Sequence, residues 1–155
     1  LPARGLYKAH TGELRAFALA ADRPLPRPAA APLAQLDGCN IPVIAAWPGA
    51  DDALVDAVAA SRPDGIVVAA LGAGNVSEQM GTGLARALDA GIPVVISTSV
   101  PRGEVAFAYG GAGGGNTLGA KGALPAGFLR PGQARMALAT ALAAGVDPAP
   151  LLGAH

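Results

Sequence analysis

The side chains able to do chemistry are few and far apart. The two histidines are His10, near the start, and His155, the final residue. A hydrolytic triad needs its base beside a Ser, Thr or Cys nucleophile, and neither histidine is placed for that within a domain. Cys39 is the only cysteine, which excludes an internal disulfide framework and a cysteine-based zinc site. With no basic neighbour in sequence it reads as an inert buried thiol. Asp51, Asp52 and Asp56 crowd the start of an expected helix, where carboxylates match the positive end of the helix dipole. A solvated acidic face is expected there, not a catalytic cluster. No protein-built transition-metal site is expected from such an inventory.

Two glycine-rich segments are more informative. Gly72-Ala73-Gly74-Asn75 falls between an expected strand and an expected helix. Open α/β sheets bind ligands at that carboxyl edge, where helix N-termini present free N–H donors. A dinucleotide fingerprint requires a third glycine three residues after Gly74, and Ser77 stands there instead. Asn75 also fits a helix cap, with Glu78 reaching back to its backbone. Capping and ligand contact are compatible at one residue. The second segment, Gly110 to Gly115, could wrap an anion with backbone N–H groups. It lacks the Gly-Lys-Ser/Thr ending of a phosphate loop, and no helical pattern follows it directly. A flexible surface loop is expected.

The elements that must position these residues follow from hydrophobic patterning. The chain has 155 residues, zero formal net charge, 52% hydrophobic residues, 22 Gly and 14 Pro. That composition argues against disorder, and neutrality removes the footprint of a nucleic-acid or polybasic membrane binder. No apolar run approaches the roughly 18 residues of a spanning helix. Residues 1–35 read as a short strand around Leu6-Tyr7, then a semi-rigid connector carrying Pro24, Pro26, Pro28 and Pro32. The start Leu1-Pro2-Ala3-Arg4 has no Met and no signal-like segment, which predicts a processed or truncated piece of a longer protein. A compact domain is expected over 36–155.

Within it, Ile41–Trp47, Ile66–Leu71 and Ile92–Ser97 are apolar runs without polar alternation, the pattern of strands buried on both faces. Between them lie helical segments: one capped by Asp51 with Leu54, Val55 and Val58 on one face, and one carrying Met80, Leu84 and Leu88 and stopped by Gly91. Ala123–Ala126 predicts a short fourth strand. Pro131 opens a last helix through Ala144, with Gly145 beyond it. Its expected buried stripe is Ala134, Met136, Ala137, Leu138, Ala141 and Leu142. A short helix or tail follows from Asp147. The fold class is α/β: a small open parallel sheet of about four strands with helices on both faces, Rossmann- or flavodoxin-like.

The ordered set of segments resembles the bacterial L-asparaginase family. Lys8-Ala9-His10-Thr11 with Ala16-Phe17 is similar to the closing strand and linker that precede the family's C-terminal domain. Asp64-Gly65-Ile66-Val67 through Gly72-Ala73-Gly74-Asn75 is similar to a strand and Gly-Asn turn of that domain. Gly91-Ile92-Pro93-Val94-Val95 with Ser97-Thr98-Ser99-Val100-Pro101-Arg102-Gly103 resembles the next strand and turn. Gly127-Phe128-Leu129-Arg130-Pro131-Gly132-Gln133-Ala134-Arg135 resembles the run into the last helix, with Gln133 in place of a Lys.

The resemblance implies a metal-free, cofactor-free amidohydrolase converting asparagine to aspartate and ammonia. Its Thr nucleophile, with a second Thr, a Lys and an Asp, belongs to an N-terminal domain whose motifs have no counterpart here. The C-terminal domain is implied to form a wall of the neighbouring subunit's active site in an oligomer. Asn75, with Gly74 beside it, carries over as a substrate contact. Several members add a glutamate from the loop after the third strand; here Tyr109 occupies that stretch and Glu104 is the nearest acid. The expected partners are a small-molecule substrate (asparagine or aspartate), the family's N-terminal domain and further copies of the chain, with no nucleic acid and no membrane, in the cytoplasm. The competing readings are a stand-alone small-ligand-binding module and an oligomerisation unit.

Overall fold

The computed structural model describes residues 36–152, together with the backbone of Gly5–Lys8 (β1) and Leu14–Phe17 (β2), which pair antiparallel. His10, His155 and the prolines at 24, 26, 28 and 32 lie outside the described residues. The main sheet has four parallel strands in spatial order β3 (Val43–Ala45), β4 (Ile66–Ala70), β5 (Val94–Thr98) and β6 (Leu124–Pro125). The helices are α1 (Ala53–Ala60), α2 (Glu78–Asp89), α3 (Gly115–Ala120), α4 (Pro131–Ala144) and α5 (Ala149–Leu152). Among the described residues, no helix is long and apolar enough to cross a membrane.

Register explains the layering. Ile44, Val68 and Ile96 stand side by side across β3, β4 and β5, and Val43, Val67, Val95 and Leu124 form the adjacent row. Successive residues of a strand point to opposite faces. The first row packs with Val55, Met80, Leu84 and Leu118 of α1, α2 and α3. The second row, through Val67, Val95 and Leu124, packs with Ala134 and Leu138 of α4 and Leu152 of α5. Helices therefore cover both faces, and β4 and β5 are buried almost throughout. Their Val- and Ile-rich sequences are the direct consequence.

The first strand departs from this. β3 lies at the sheet edge, and only Ile44 of its three residues is buried, with Val43 43% exposed. The expectation of burial on both faces holds for β4 and β5 and fails here, because an apolar run does not reveal whether a strand has one neighbour or two. β3 is also shorter than the run Ile41–Trp47.

Helix ends follow local chemistry with two corrections. Pro131 sits in the first turn of α4, and Gly145 ends it in the left-handed conformation, as the sequence predicts. Gln133 Oε1 accepts from the Arg130 N–H at 2.9 Å, a capping contact that a Lys, lacking an acceptor, could not make. Met136, expected in the buried stripe, is 51% exposed. Asp51 is not the cap of α1. That position is Asp52, which makes no side-chain capping bond, while Asp51 Oδ1 accepts from the Ala53 N–H at 3.2 Å.

Asp52 and Asp56 turn instead toward α2, where Arg86 Nη2 lies 2.7 Å from a carboxylate oxygen of each. The hydrogen bond from Arg86 holds the Asp52 carboxyl below its ordinary range. The two carboxylates, Asp56 foremost, stabilise the charged guanidinium. The acidic face is thus solvated, as expected, and serves as a surface tie between α1 and α2. Leu54 faces solvent and Val55 carries the contact with the core.

Candidate functional site

The two glycine-rich segments leave the carboxyl ends of adjacent central strands. The chain exits β4 into a tight turn in which the Leu71 N–H donates to Asn75 O at 2.8 Å and the Asn75 N–H donates to Leu71 O at 2.9 Å. Gly74 holds φ +113° there, a region that L side chains rarely adopt. A Cβ at Gly74 would also lie 2.8 Å from a Val105 methyl. With both its backbone groups engaged in the turn, Asn75 is locked in place and half-buried.

Asn75 does not cap α2. Ser77 does: its Oγ accepts from the Met80 N–H at 3.2 Å, and its hydroxyl donates to Ala50 O. Cap and turn are therefore two residues apart, and Glu78 becomes the first helical residue, not the partner of a box around Asn75.

The exit from β5 is laced to that turn. Thr98 Oγ1 donates to Gly72 O at 2.6 Å, and the Ser99 N–H donates to Ala70 O at 2.9 Å. The Ala106 N–H donates to Ala73 O, and the Val76 N–H to Gly113 O, each at 2.9 Å. Arg130 secures the outer part, donating to Gly103 O at 2.6 Å and also to Val100 O. Burial pushes that guanidinium below its ordinary value.

The Gly110–Gly115 run lies at the surface only in its first half, where Gly110, Gly111 and Ala112 are exposed. Gly113, Gly114 and Gly115 are buried, and α3 starts directly at Gly115, with Gly114 as its N-cap residue. Glycine is needed for close approach. A Cβ on Gly81 of α2 would overlap Ala112 O, and one on Gly113 would overlap Val76 O. The Phe107 ring lies against Gly115 and Gly119, where a Cβ would meet it at 2.7 Å or closer. The two glycine segments have thus become one packed surface. The N–H groups of Gly114 and Asn116 are engaged, with Gly111 O and Tyr109 O, so they are not available to wrap an anion.

Together the segments form an open concavity of about 310 Å³. Asn75, Val76 and Glu78 line one side; Tyr109 with Gly110, Gly111, Gly113 and Gly114 lines the other. The structure therefore brings together Asn75 and Tyr109, 34 positions apart in the sequence. Tyr109 is 51% exposed. Gly74 does not line the concavity; it is packed beneath, against Val105 and Ile96. Glu104 is not in the lining either. Cys39, expected as a buried thiol, is half-buried on the far face near Ala139.

Sequence reasoning missed Glu78 as a lining residue, having assigned it to a cap. The available signal was positional: the first turn of a helix that follows a central strand borders the ligand edge of the sheet.

Residues 40–151 match the model of the glutaminase/asparaginase C-terminal domain, a region that contains the whole four-stranded sheet and every residue lining the concavity. The chain belongs to this family. Over 89 residues it is 43% identical to a protein named probable L-asparaginase from Deinococcus radiodurans. That match covers 57% of this chain and 27% of the relative, so the chain corresponds to only part of that protein's length. In this asparaginase-type C-terminal domain the strand–turn segment ending at Asn75, the Ser97–Gly103 turn and the Gly127–Arg135 run all meet at or next to the two laced exits.

Proposed function

We propose that this chain is the C-terminal domain of an L-asparaginase, the hydrolase that converts asparagine and water to aspartate and ammonia. It is inactive alone, because the Thr nucleophile belongs to an N-terminal domain. Its role is to complete the active site of a neighbouring subunit and to supply oligomer contacts. Residues 1–35 are the end of the preceding domain and its linker, and the domain proper runs over 36–155.

The observation that carries this reading is the concavity at the carboxyl edge of β4 and β5. Asn75 presents a carboxamide, which both donates and accepts hydrogen bonds, and Tyr109 presents a phenol. Those groups can hold the polar ends of a small amino acid. Neither is a Ser, Thr or Cys, the side chains that usually attack an amide. The concavity is also open, the form of a wall that a second protein surface must close. Gly74 acts through the turn, placing Asn75 at the rim.

Ammonia release tests the reading directly. The purified chain supplied with asparagine should release no ammonia above the uncatalysed background. Robust turnover by this chain alone would overturn the assignment of the nucleophile to another domain.

A further inference from the structure

We infer that the open edge of β3 pairs with the same edge of a second copy of the chain, antiparallel about a two-fold axis at Ile44. The pairing joins two four-stranded sheets into one. It names a face for contact between copies and does not depend on the assignment of the nucleophile or of the concavity. In the ladder with β4, Pro42 O accepts from the Val67 N–H and the Ala46 N–H donates to Ala69 O, both at 3.0 Å. Even-numbered residues of β3 therefore turn their main-chain groups to β4, while Val43 and Ala45 turn theirs outward. Both are exposed, and among the described strands β3 has no neighbour on that side.

Folded proteins blunt such edges with charges, prolines, bulges or very short strands. The opposite edge of this sheet is blunted: β6 is two residues long and ends in Pro125. The β3 edge is not. Residues 40–50 carry no charged side chain, and Pro42 lacks its N–H on the side facing β4, so the outer edge stays open to pairing.

The edge is self-complementary. With Ile44 on the axis, Val43 of one copy stands opposite Ala45 of the other, and each such pair exchanges two N–H to O=C bonds. Val43, Ala45 and Trp47 fall on the α4 face of the sheet by strand alternation, where Val43 is 43% and Trp47 48% exposed. Across the axis a larger side chain, Val43, meets a smaller one, Ala45. Three positions from the axis, Trp47 arrives beside Ile41 of the other copy. Arg135 Nε already donates to Ile41 O at 2.9 Å, which ends the ladder there and sets a guanidinium where the incoming indole lies. A guanidinium is attracted to an indole face, more so as water is excluded. Symmetry forms the contact twice. An unrelated strand could supply the main-chain bonds, but the match of Trp47 to Arg135 comes from the chain's own residues and selects a second copy.

Trp47 is the only tryptophan of the chain, so its fluorescence reports on this edge alone. Sedimentation equilibrium of the full 155-residue chain should show monomer and dimer in exchange. As the dimer forms with rising concentration, Trp47 emission should shift to the blue and acrylamide should quench it less. Val43→Lys places a charge on the edge of both copies and should weaken the dimer about tenfold or more, with circular dichroism unchanged. Arg135→Gln removes the cation and should weaken it about fivefold or more, the contact being lost twice. Leu54→Lys, on exposed α1 over the opposite face of the sheet, is the control and should leave the dimer intact. A strict monomer up to millimolar concentration would overturn the inference, as would a dimer in which Trp47 stays as open to acrylamide as in the monomer. Trp47 shielded at every concentration in a monomeric chain would show that the chain itself covers the edge, which overturns it too. Equal weakening by Val43→Lys and Leu54→Lys would count against the β3 edge. Ammonia release is unaffected by any of these results, so the nucleophile assignment stands or falls separately.

Discussion

Gly81→Ala sets helix propensity and tertiary packing against each other with opposite signs. Gly81 is in the second turn of α2, where Ala is preferred over Gly by about 1 kcal/mol. On local grounds the substitution stabilises. In the fold, the new Cβ would overlap Ala112 O, with Ala112 C at 2.7 Å and Gly113 Cα at 2.8 Å. All three are backbone atoms, so no side chain can rotate away. Overpacking of this kind costs about 1–3 kcal/mol. Displacing the loop also puts at risk the bond from the Val76 N–H to Gly113 O, worth about 1 kcal/mol. That loss and the propensity gain nearly cancel, leaving a net destabilisation of about 1–3 kcal/mol. Urea unfolding followed by circular dichroism should show it, and thermal melting should show a fall of roughly 4 °C for each kcal/mol. Gly132→Ala in α4 is the control, because a Cβ there meets nothing within 4 Å. It should be neutral or stabilising by up to about 1 kcal/mol. If Gly81→Ala is as stable as the wild type, the docking of the two glycine segments is wrong.

Further outcomes follow from the same contacts. Ser77→Ala removes the cap of α2 and should cost about 0.5–2 kcal/mol in urea unfolding, with Ser77→Thr, which keeps both the acceptor for the Met80 N–H and the donor to Ala50 O, recovering most of it; an equal loss in both variants would refute the capping role. Leu138→Ala empties a fully buried position between α4 and the sheet and should cost about 2–5 kcal/mol by the same measurement. A loss below about 1 kcal/mol would show that α4 is not seated there. Because Arg86 lowers the Asp52 carboxyl in the folded protein, the pair's contribution is present above the unfolded-state value of 3.8. It is lost as pH falls through the lower folded value. The urea midpoint of the wild type should therefore converge with that of Arg86→Met below about pH 4. Parallel curves down to pH 2 would rule out this coupling.

What could be read from the chain differs by element for physical reasons. β4 and β5 were legible because strands covered on both faces are dominated by apolar residues, Ser97 and Thr98 at the end of β5 being the buried polar exceptions. α4 was legible because Pro131 and Gly145 act through their own backbones, without help from distant residues. The cap of α2 was not, since Asn75 and Ser77 can each cap a helix, and the Leu71–Asn75 turn decided between them. α3 was hidden by its sequence, Gly-Asn-Thr-Leu-Gly-Ala, which has poor intrinsic helix propensity. It is helical where Leu118 is buried and Phe107 lies against its two glycines. Met136 and Leu54 were misplaced because periodicity reports an apolar stripe, not how far the neighbouring layer extends over it.

The candidate site divides in the same way. Fold class, strand order of appearance, the position of the sheet's carboxyl edge and the resemblance to the asparaginase family were all carried by local sequence, because backbone preference and burial pattern act over a few residues. The meeting of Asn75, Glu78 and Tyr109 around one concavity was decided only in three dimensions. It depends on the parallel register of β4 and β5, which brings two chain exits side by side. It depends equally on glycines at 81 and 113 small enough to let their backbones touch. Contacts between residues some 30 positions apart leave no periodicity for a sequence to display.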